Sequence, residues 1–292
     1  CCAKSGQKVR LISNDISERA QSNLAEGGIN AALDTMGEGD TAKEHFDDTL
    51  KGGCYIADEE AVRDLTENAP NTVLYLASLG VPFHRENGKI VLRNFGGQKK
   101  KRTAYVKSST GKSLVSFLCD EARKYEIKGL IERFSHMEYD DILIKENECL
   151  GAFFKDINTG EKMFFEGPVI AASGSFAGYF GSATTGSILN NGNVSAGLFF
   201  RGVEFSNLEM IQYHPTTAKI SGKRMLVSEA ARGEGGRLFV KKDGEKYYFM
   251  EEKYPELKNL MPRDVVSREM YFIREKYGQV YLDMTGIDKS VL

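Results

Sequence analysis

An imidazole, a hydroxyl, a carboxylate and two guanidinium groups, carried on three short stretches late in the chain, have the means to grip and protonate a small anion. The first stretch reads Glu209-Met-Ile-Gln-Tyr-His-Pro-Thr216, in which Pro215 forbids helix and fixes the backbone beside His214. Such a histidine is either a turn residue bonded to backbone or, in polar company, a functional group. The second reads Ser228-Glu-Ala-Ala-Arg-Gly-Glu-Gly-Gly236. Glu229 and Arg232 are spaced i, i+3 and meet on a helical turn. On a surface that pair is worth ~0–1 kcal/mol, but the glycine-rich run behind it strips away side chains and opens it to a substrate. The third reads Met261-Pro-Arg-Asp-Val-Val-Ser-Arg268. Pro262 starts a helix, so Arg263 stands in a first turn, where the macrodipole disfavours a cation by roughly 0.3 kcal/mol or more. Either Asp264 compensates it or another group wants it there. Guanidinium forks match carboxylates and a hydroxyl adds a bond, so the set suits a small dicarboxylate. It can bind or move a proton but holds no redox group. By acidity alone His214 is the preferred proton donor, because an arginine with a pKa above ~12 is far from a general acid's near-neutral optimum.

Positioning these stretches falls to a chain of 292 residues, 41% hydrophobic and 27% charged, with no Trp. That balance supplies a buried core, excludes disorder, and fits about two domains. Thirty-nine basic against 41 acidic side chains give a net charge of −2, which excludes broad attraction to nucleic acid or an anionic bilayer. No apolar run reaches the ~20 residues of a membrane helix, so direct membrane insertion is not expected. Cys1, Cys2, Cys54, Cys119 and Cys149 show no CxxC spacing. Neither a disulfide framework nor a metal site is predicted, and a cytoplasmic location fits. Cys1 is an unusual natural start, which points to a truncated chain and leaves a removed leader open.

Lys8 to Ser13 reads as a strand after a stop at Gly6, half of a βαβ unit. Asp40 is placed to cap a helix over 41–51, and a helix pair is predicted over 59–79, with Pro70 in the first turn of its second member. Asn87-Gly88 marks a hairpin, and Thr110-Gly111 opens a helix to about 125. Short β-rich runs at 130–134, 141–145, 151–155, 163–165 and 169–172 read as a meander returning to a buried strand. A helix over 195–201, a hairpin at Asp243-Gly244 and a helix over 262–277 complete an α/β chain with a boundary near 218.

The order of motifs adds a family. Ala25-Glu-Gly-Gly-Ile29, Phe95-Gly96-Gly97 with Lys101-Arg102-Thr103, Gln212-Tyr-His-Pro-Thr216, Ser228 to Gly236, and Pro262 to Arg268 follow one another. In this the chain resembles the flavoprotein subunit of the fumarate reductase, succinate dehydrogenase and L-aspartate oxidase family, over nearly all its length. The resemblance implies a Rossmann-type FAD-binding domain with a β-meander (1–217) and an α+β capping domain (218–292), both incomplete, with substrate held between cap and flavin. It places the proton-donating arginine at Arg263, the substrate-binding histidine at His214 and a substrate hydroxyl at Ser228. Glu229 and Arg232 match the groups that resupply the proton. Ser13, Ser22, Gly27, Gly28, Ser173 and Asn193 are the implied cofactor contacts.

Departures from the family pattern refine this reading. Where membrane-bound members attach FAD through a histidine, this chain has Gln21, which implies non-covalent FAD and favours fumarate reduction over succinate oxidation. Phe95 stands where aspartate oxidases carry a Glu suited to a substrate ammonium, which favours fumarate or succinate over aspartate. Ala172-Ser-Gly-Ser175, Asn193-Val194 and Glu26 also differ from the family. The glycine fingerprint for pyrophosphate would lie before Cys1, and a further substrate His and Arg beyond Leu292. An L-aspartate oxidase and a non-catalytic dicarboxylate- or flavin-binding subunit are the alternatives. An iron–sulfur electron-transfer subunit is the implied partner, with peripheral attachment to the inner membrane through such subunits.

Overall fold

The computed structural model describes residues 1–288; residues 289–292, the end of the expected capping domain, lie outside the described residues. A 3-10 turn over Ala3–Ser5 stops at Gly6, whose φ of 88° is left-handed, and β1 (Val9–Ile12) follows. After β2 (Ile29–Asn30) comes α1 (Ala42–Gly52), capped by Thr41, whose Oγ1 accepts the Glu44 N–H at 3.1 Å. Asp40 is therefore not the cap that its residue type suggests. Arg102 draws it inside instead, donating to its two oxygens at 2.8 and 3.1 Å while also pairing with Asp48 at 3.0 Å.

The next element, α2 (Glu59–Ser78), starts where the Asp58 carboxylate accepts the Glu60 and Ala61 N–H groups, and it runs through Pro70 as one helix. The expected pair is a single element. Pro70 forfeits the bond to the Thr66 carbonyl, and the buried stripe Thr66, Ala69, Val73 and Leu76 keeps the turns in line. The Asn87-Gly88 hairpin joins β3 (Arg85–Glu86) to β4 (Lys89–Ile90), with φ of +50° and +78° at the turn. Then come β5 (Leu92–Arg93), β6 (Thr103–Ala104), α3 (Thr110–Ile127) and β7 (Ile131–Phe134). The meander is β8 (Met137–Lys145), β9 (Glu148–Asp156) and β10 (Lys162–Glu166), antiparallel in the order β10-β9-β8. Residues 169–172 pair with no strand among the described residues, and Ile170 is 80% exposed. The expected buried strand is absent there because an apolar run becomes one only where a neighbour offers its edge.

The remainder is α4 (Asn193–Phe200), β11 (Thr217–Ile220), β12 (Lys223–Leu226), α5 (Ala230–Gly233), β13 (Arg237–Lys242), β14 (Glu245–Tyr247), α6 (Phe249–Lys253), α7 (Arg263–Tyr277) and β15 (Tyr281–Asp283). Two compact units result, each made of two segments. One joins residues 1–25 to 111–210; the other joins 26–110 to the chain from Ile211 onward. The expected single boundary near 218 falls inside the second unit, because a linear change of pattern does not reveal a segment that returns to an earlier one.

In the first unit, β1 pairs in parallel with β7, Val9 opposite Ile131, and the meander supports α4. The second unit places β6 between β2 and β5, and β13 between β14 and β15. Its core gathers Leu238, Val240, Phe249, Met250 and Val266, with Met270, Ile273 and Tyr277 continuing the stripe of α7. At ~1.5–3 kcal/mol for each fully buried apolar side chain, that cluster fixes the start of α7 against β13. No helix among the described residues is long and apolar enough to cross a membrane.

Candidate active site

The carboxylate of Glu229, 3% exposed, is the centre of the site. Its Oε1 accepts from Arg232 Nη2 at 2.9 Å and its Oε2 from Arg263 Nε at 2.8 Å. One oxygen thus serves each guanidinium. This is the group that wants Arg263 in the first turn of α7 despite the macrodipole, since Asp264 faces Arg268 at 4.0 Å instead. Arg263 Nη1 also donates to Gln212 Oε1 at 2.9 Å, and Arg232 Nη1 to the Asn259 carbonyl at 2.6 Å. Burial pushes the Arg232 guanidinium below the usual arginine value, with the Glu229 charge opposing. The Arg263 side chain keeps 33% exposure while that of Arg232 has none, so the accessible end of the array is Arg263. Two cations around one anion leave a net positive site, fit for an anionic substrate.

His214 lies close enough to feel all three charges. Its Nδ1 is 3.1 Å from the Thr216 carbonyl oxygen and 3.3 Å from the Thr216 nitrogen. Burial first and Arg263 second lower its pKa to about 4, against the pull of Glu229. At neutral pH it is an uncharged imidazole and not the acid that residue type alone favours. When Nδ1 accepts the Thr216 N–H, Nε2–H is left to donate to a ligand. Ser228, one residue before Glu229, is half-buried, and its Oγ accepts the Ala230 N–H at 3.4 Å.

The Phe95-Gly96-Gly97 turn belongs to the same unit. A side chain at Gly96 would run into Glu229 Oε1, so the glycine makes room for the carboxylate, and Gly97 N–H donates to the Leu260 carbonyl at 2.9 Å. Phe95 lies over Gly27, where a Cβ would sit 2.9 Å from the ring. At Gly28, φ is +133° and a Cβ would be 2.6 Å from the Ala104 oxygen. The glycine pair is thus demanded by its own packing. Arg93 closes this turn, its guanidinium 4.2 Å from the Tyr105 ring centroid and bonded to the carbonyls of Glu26 and Gly27.

Of the residues expected to contact FAD, Gly27 and Gly28 lie in the second unit and Ser13, Ser22, Ser173 and Asn193 in the first. Ser13 follows the last residue of β1, with Oγ donating to the Asp15 carbonyl at 2.5 Å. Ser22 and Ser173 are exposed hydroxyls, and Asn193 opens α4 with Nδ2 3.4 Å from the Tyr139 carbonyl. Hydroxyl and amide donors of this kind fit the ribose and phosphate parts of a dinucleotide. Gln21 Oε1 accepts the Ser187 N–H, and an amide offers no nucleophile for a bond to flavin. Gln212 and Asn259 had no role in the expectations. The first could have been found from its place two residues before His214; the second works partly through its backbone, which leaves no mark on residue type.

The family profile described as FAD binding domain matches residues 1–292. The succinate dehydrogenase flavoprotein subunit of Bacillus subtilis is 38% identical over 300 residues, covering 99% of this chain and 51% of that subunit. The 8-methylmenaquinol:fumarate reductase flavoprotein subunit of Wolinella succinogenes is 33% identical over 292 residues, covering 97% and 46%. Among solved structures, a mutant FrdA of E. coli quinol fumarate reductase superimposes with a TM-score of 0.90 at 27% identity, over 100% of this chain and 52% of that one. This chain spans about half the length of these relatives. It belongs to the FAD binding domain family and is similar, from end to end, to the flavoprotein subunits of succinate dehydrogenases and fumarate reductases.

Proposed function

We propose that this chain forms the dicarboxylate-handling part of a flavin-dependent oxidoreductase that reduces fumarate to succinate or runs the reverse reaction. FAD, when bound, supplies or accepts the hydride. Arg263 protonates the other alkene carbon. Hydride addition at one alkene carbon leaves the electron pair on its neighbour, beside that neighbour's own carboxylate, and this carbanion is a far stronger base than a guanidine, so a donor as weak as arginine suffices when it is aimed and promptly recharged. Glu229, with one oxygen on each guanidinium, is built to return that proton from the side of Arg232. This bridging carboxylate is the observation that carries the reading. His214 and Ser228 hold the substrate carboxylates, the first as a neutral donor, and Phe95 supplies an apolar wall.

Gln21 supports non-covalent FAD, and with it the reductive direction. Phe95 offers no anionic partner for an ammonium group, which argues against aspartate. An iron–sulfur electron-transfer subunit, itself peripheral to a membrane, is the partner that the family resemblance implies, and the relatives are themselves named as subunits. The test is fumarate-dependent oxidation of a reduced viologen dye by the flavin-loaded protein, with Arg263→Ala expected to lose about 10²- to 10⁴-fold in turnover. Full activity in that variant would sink the assignment of Arg263. Aspartate-dependent peroxide formation without fumarate reduction identifies an oxidase, and a protein that stays colourless after incubation with FAD identifies a silent subunit.

A further inference from the structure

Arg232 is fully buried and held by few bonds. Its Nη2 meets Glu229, its Nη1 meets the Asn259 carbonyl, and its Nε has no hydrogen-bond partner among the described residues. Asn259 is itself 5% exposed. Its Oδ1 accepts the Leu238 N–H at 2.9 Å, anchoring it to β13, and its Nδ2 reaches Glu251 Oε1 at 3.4 Å. Before it, Lys258 holds a left-handed φ of +50°, a conformation that needs outside support at a lysine. After it, the Leu260 carbonyl accepts the Gly97 N–H, and Met261-Pro262 lead straight into α7 and Arg263. Residues 258–262 therefore touch the Glu229 array at both ends, through the carbonyl that holds Arg232 and through the helix start that carries Arg263.

We infer that Asn259 is a positioning residue for proton delivery: its side chain pins this stretch to β13 and so sets the spacing of the two guanidinium groups on either side of Glu229. The inference rests on the fumarate-reducing reading. It differs from a purely structural role in that loss of the pin acts on turnover through Arg232 and Arg263 and leaves substrate affinity nearly untouched.

Asn259→Leu keeps the number and branching of the side-chain heavy atoms and removes the acceptor for the Leu238 N–H, whereas Asn259→Asp keeps that acceptor. In the flavin-loaded protein, Asn259→Leu is expected to lower kcat per bound flavin about 10- to 100-fold with KM for fumarate within about threefold. In a Glu251→Gln background, where an amide NH2 can face the new carboxylate, Asn259→Asp should stay within about threefold in kcat, and a drop beyond about tenfold there overturns the inference even if the leucine variant fails to fold. In an Arg232→Met background, Asn259→Leu should cost at least about threefold less than in the parent, because one of the two groups to be positioned is gone; an undiminished penalty overturns it. If the parent turns over neither fumarate nor succinate, the functional reading fails by itself and the pin is read by thermal unfolding. Asn259→Leu should then lower Tm by at least about 3 °C more in the parent than in the Arg232→Met background, and equal losses overturn it.

Discussion

Glu229 keeps two positive groups together and neutralises Arg232, which could not be buried alone. Replacing it by Gln preserves the shape and removes the charge, so Glu229→Gln is expected to cost about 3 kcal/mol in urea unfolding and to slow turnover about 100-fold or more. An unchanged denaturation midpoint would contradict the burial argument. Histidines make a second point at this scale. His45 is 5% exposed with Nδ1 unpartnered, and burial together with Arg102 lowers its pKa to about 4. The unfolded chain binds a proton near pH ~6.5 and the folded one does not until pH ~4. Stability therefore holds above the upper value, falls as pH drops between the two, and levels off below. The slope from His45 approaches about 1.4 kcal/mol per pH unit, and His45→Leu should flatten the curve by that amount. His214 adds a similar fall over the same window. Gln21 gives a third outcome: acid precipitation should release all yellow colour into the supernatant, and colour retained in the pellet would refute non-covalent binding.

Elements are held here by contacts of two ranges, and only the short range is legible in a sequence. The turns at Asn87-Gly88 and Asp243-Gly244 were readable because their left-handed backbone is a demand on the residues themselves. Asp40 was misread because its partner, Arg102, lies 62 residues away, and a buried ion pair outweighs a helix cap available equally to Thr41. Pro70 was misread because the buried stripe of α2 compensates the lost bond. Gly27 shows the same dependence on distant packing. Its backbone would accept Ala, yet a Cβ would press on Phe95, so Gly27→Ala is expected to cost about 1–3 kcal/mol in thermal unfolding, mostly relieved in the double variant with Phe95→Ala. Additive losses would show that the ring is not what excludes a side chain.

At the scale of the whole molecule, the residues proposed for the site lie together, although the chain does not divide at a single point. Gln212, His214, Ser228, Glu229, Arg232 and Arg263 all fall in one unit, whereas a boundary at 218 sets Gln212 and His214 apart from the other four. Yet that unit also needs residues 26–110, which Phe95 and Gly96 tie to it. A fragment ending at 217 is accordingly expected to lose hydrogen-exchange protection at the Gly97 amide, whose acceptor is Leu260; full protection would refute the pairing of these segments. The interleaving has a further effect during translation. At about 5–20 residues per second, the ribosome needs roughly 5–20 s to travel from residue 110 to residue 211. Throughout that pause an emerged but unfinished half awaits its complement, and chaperones have their opportunity.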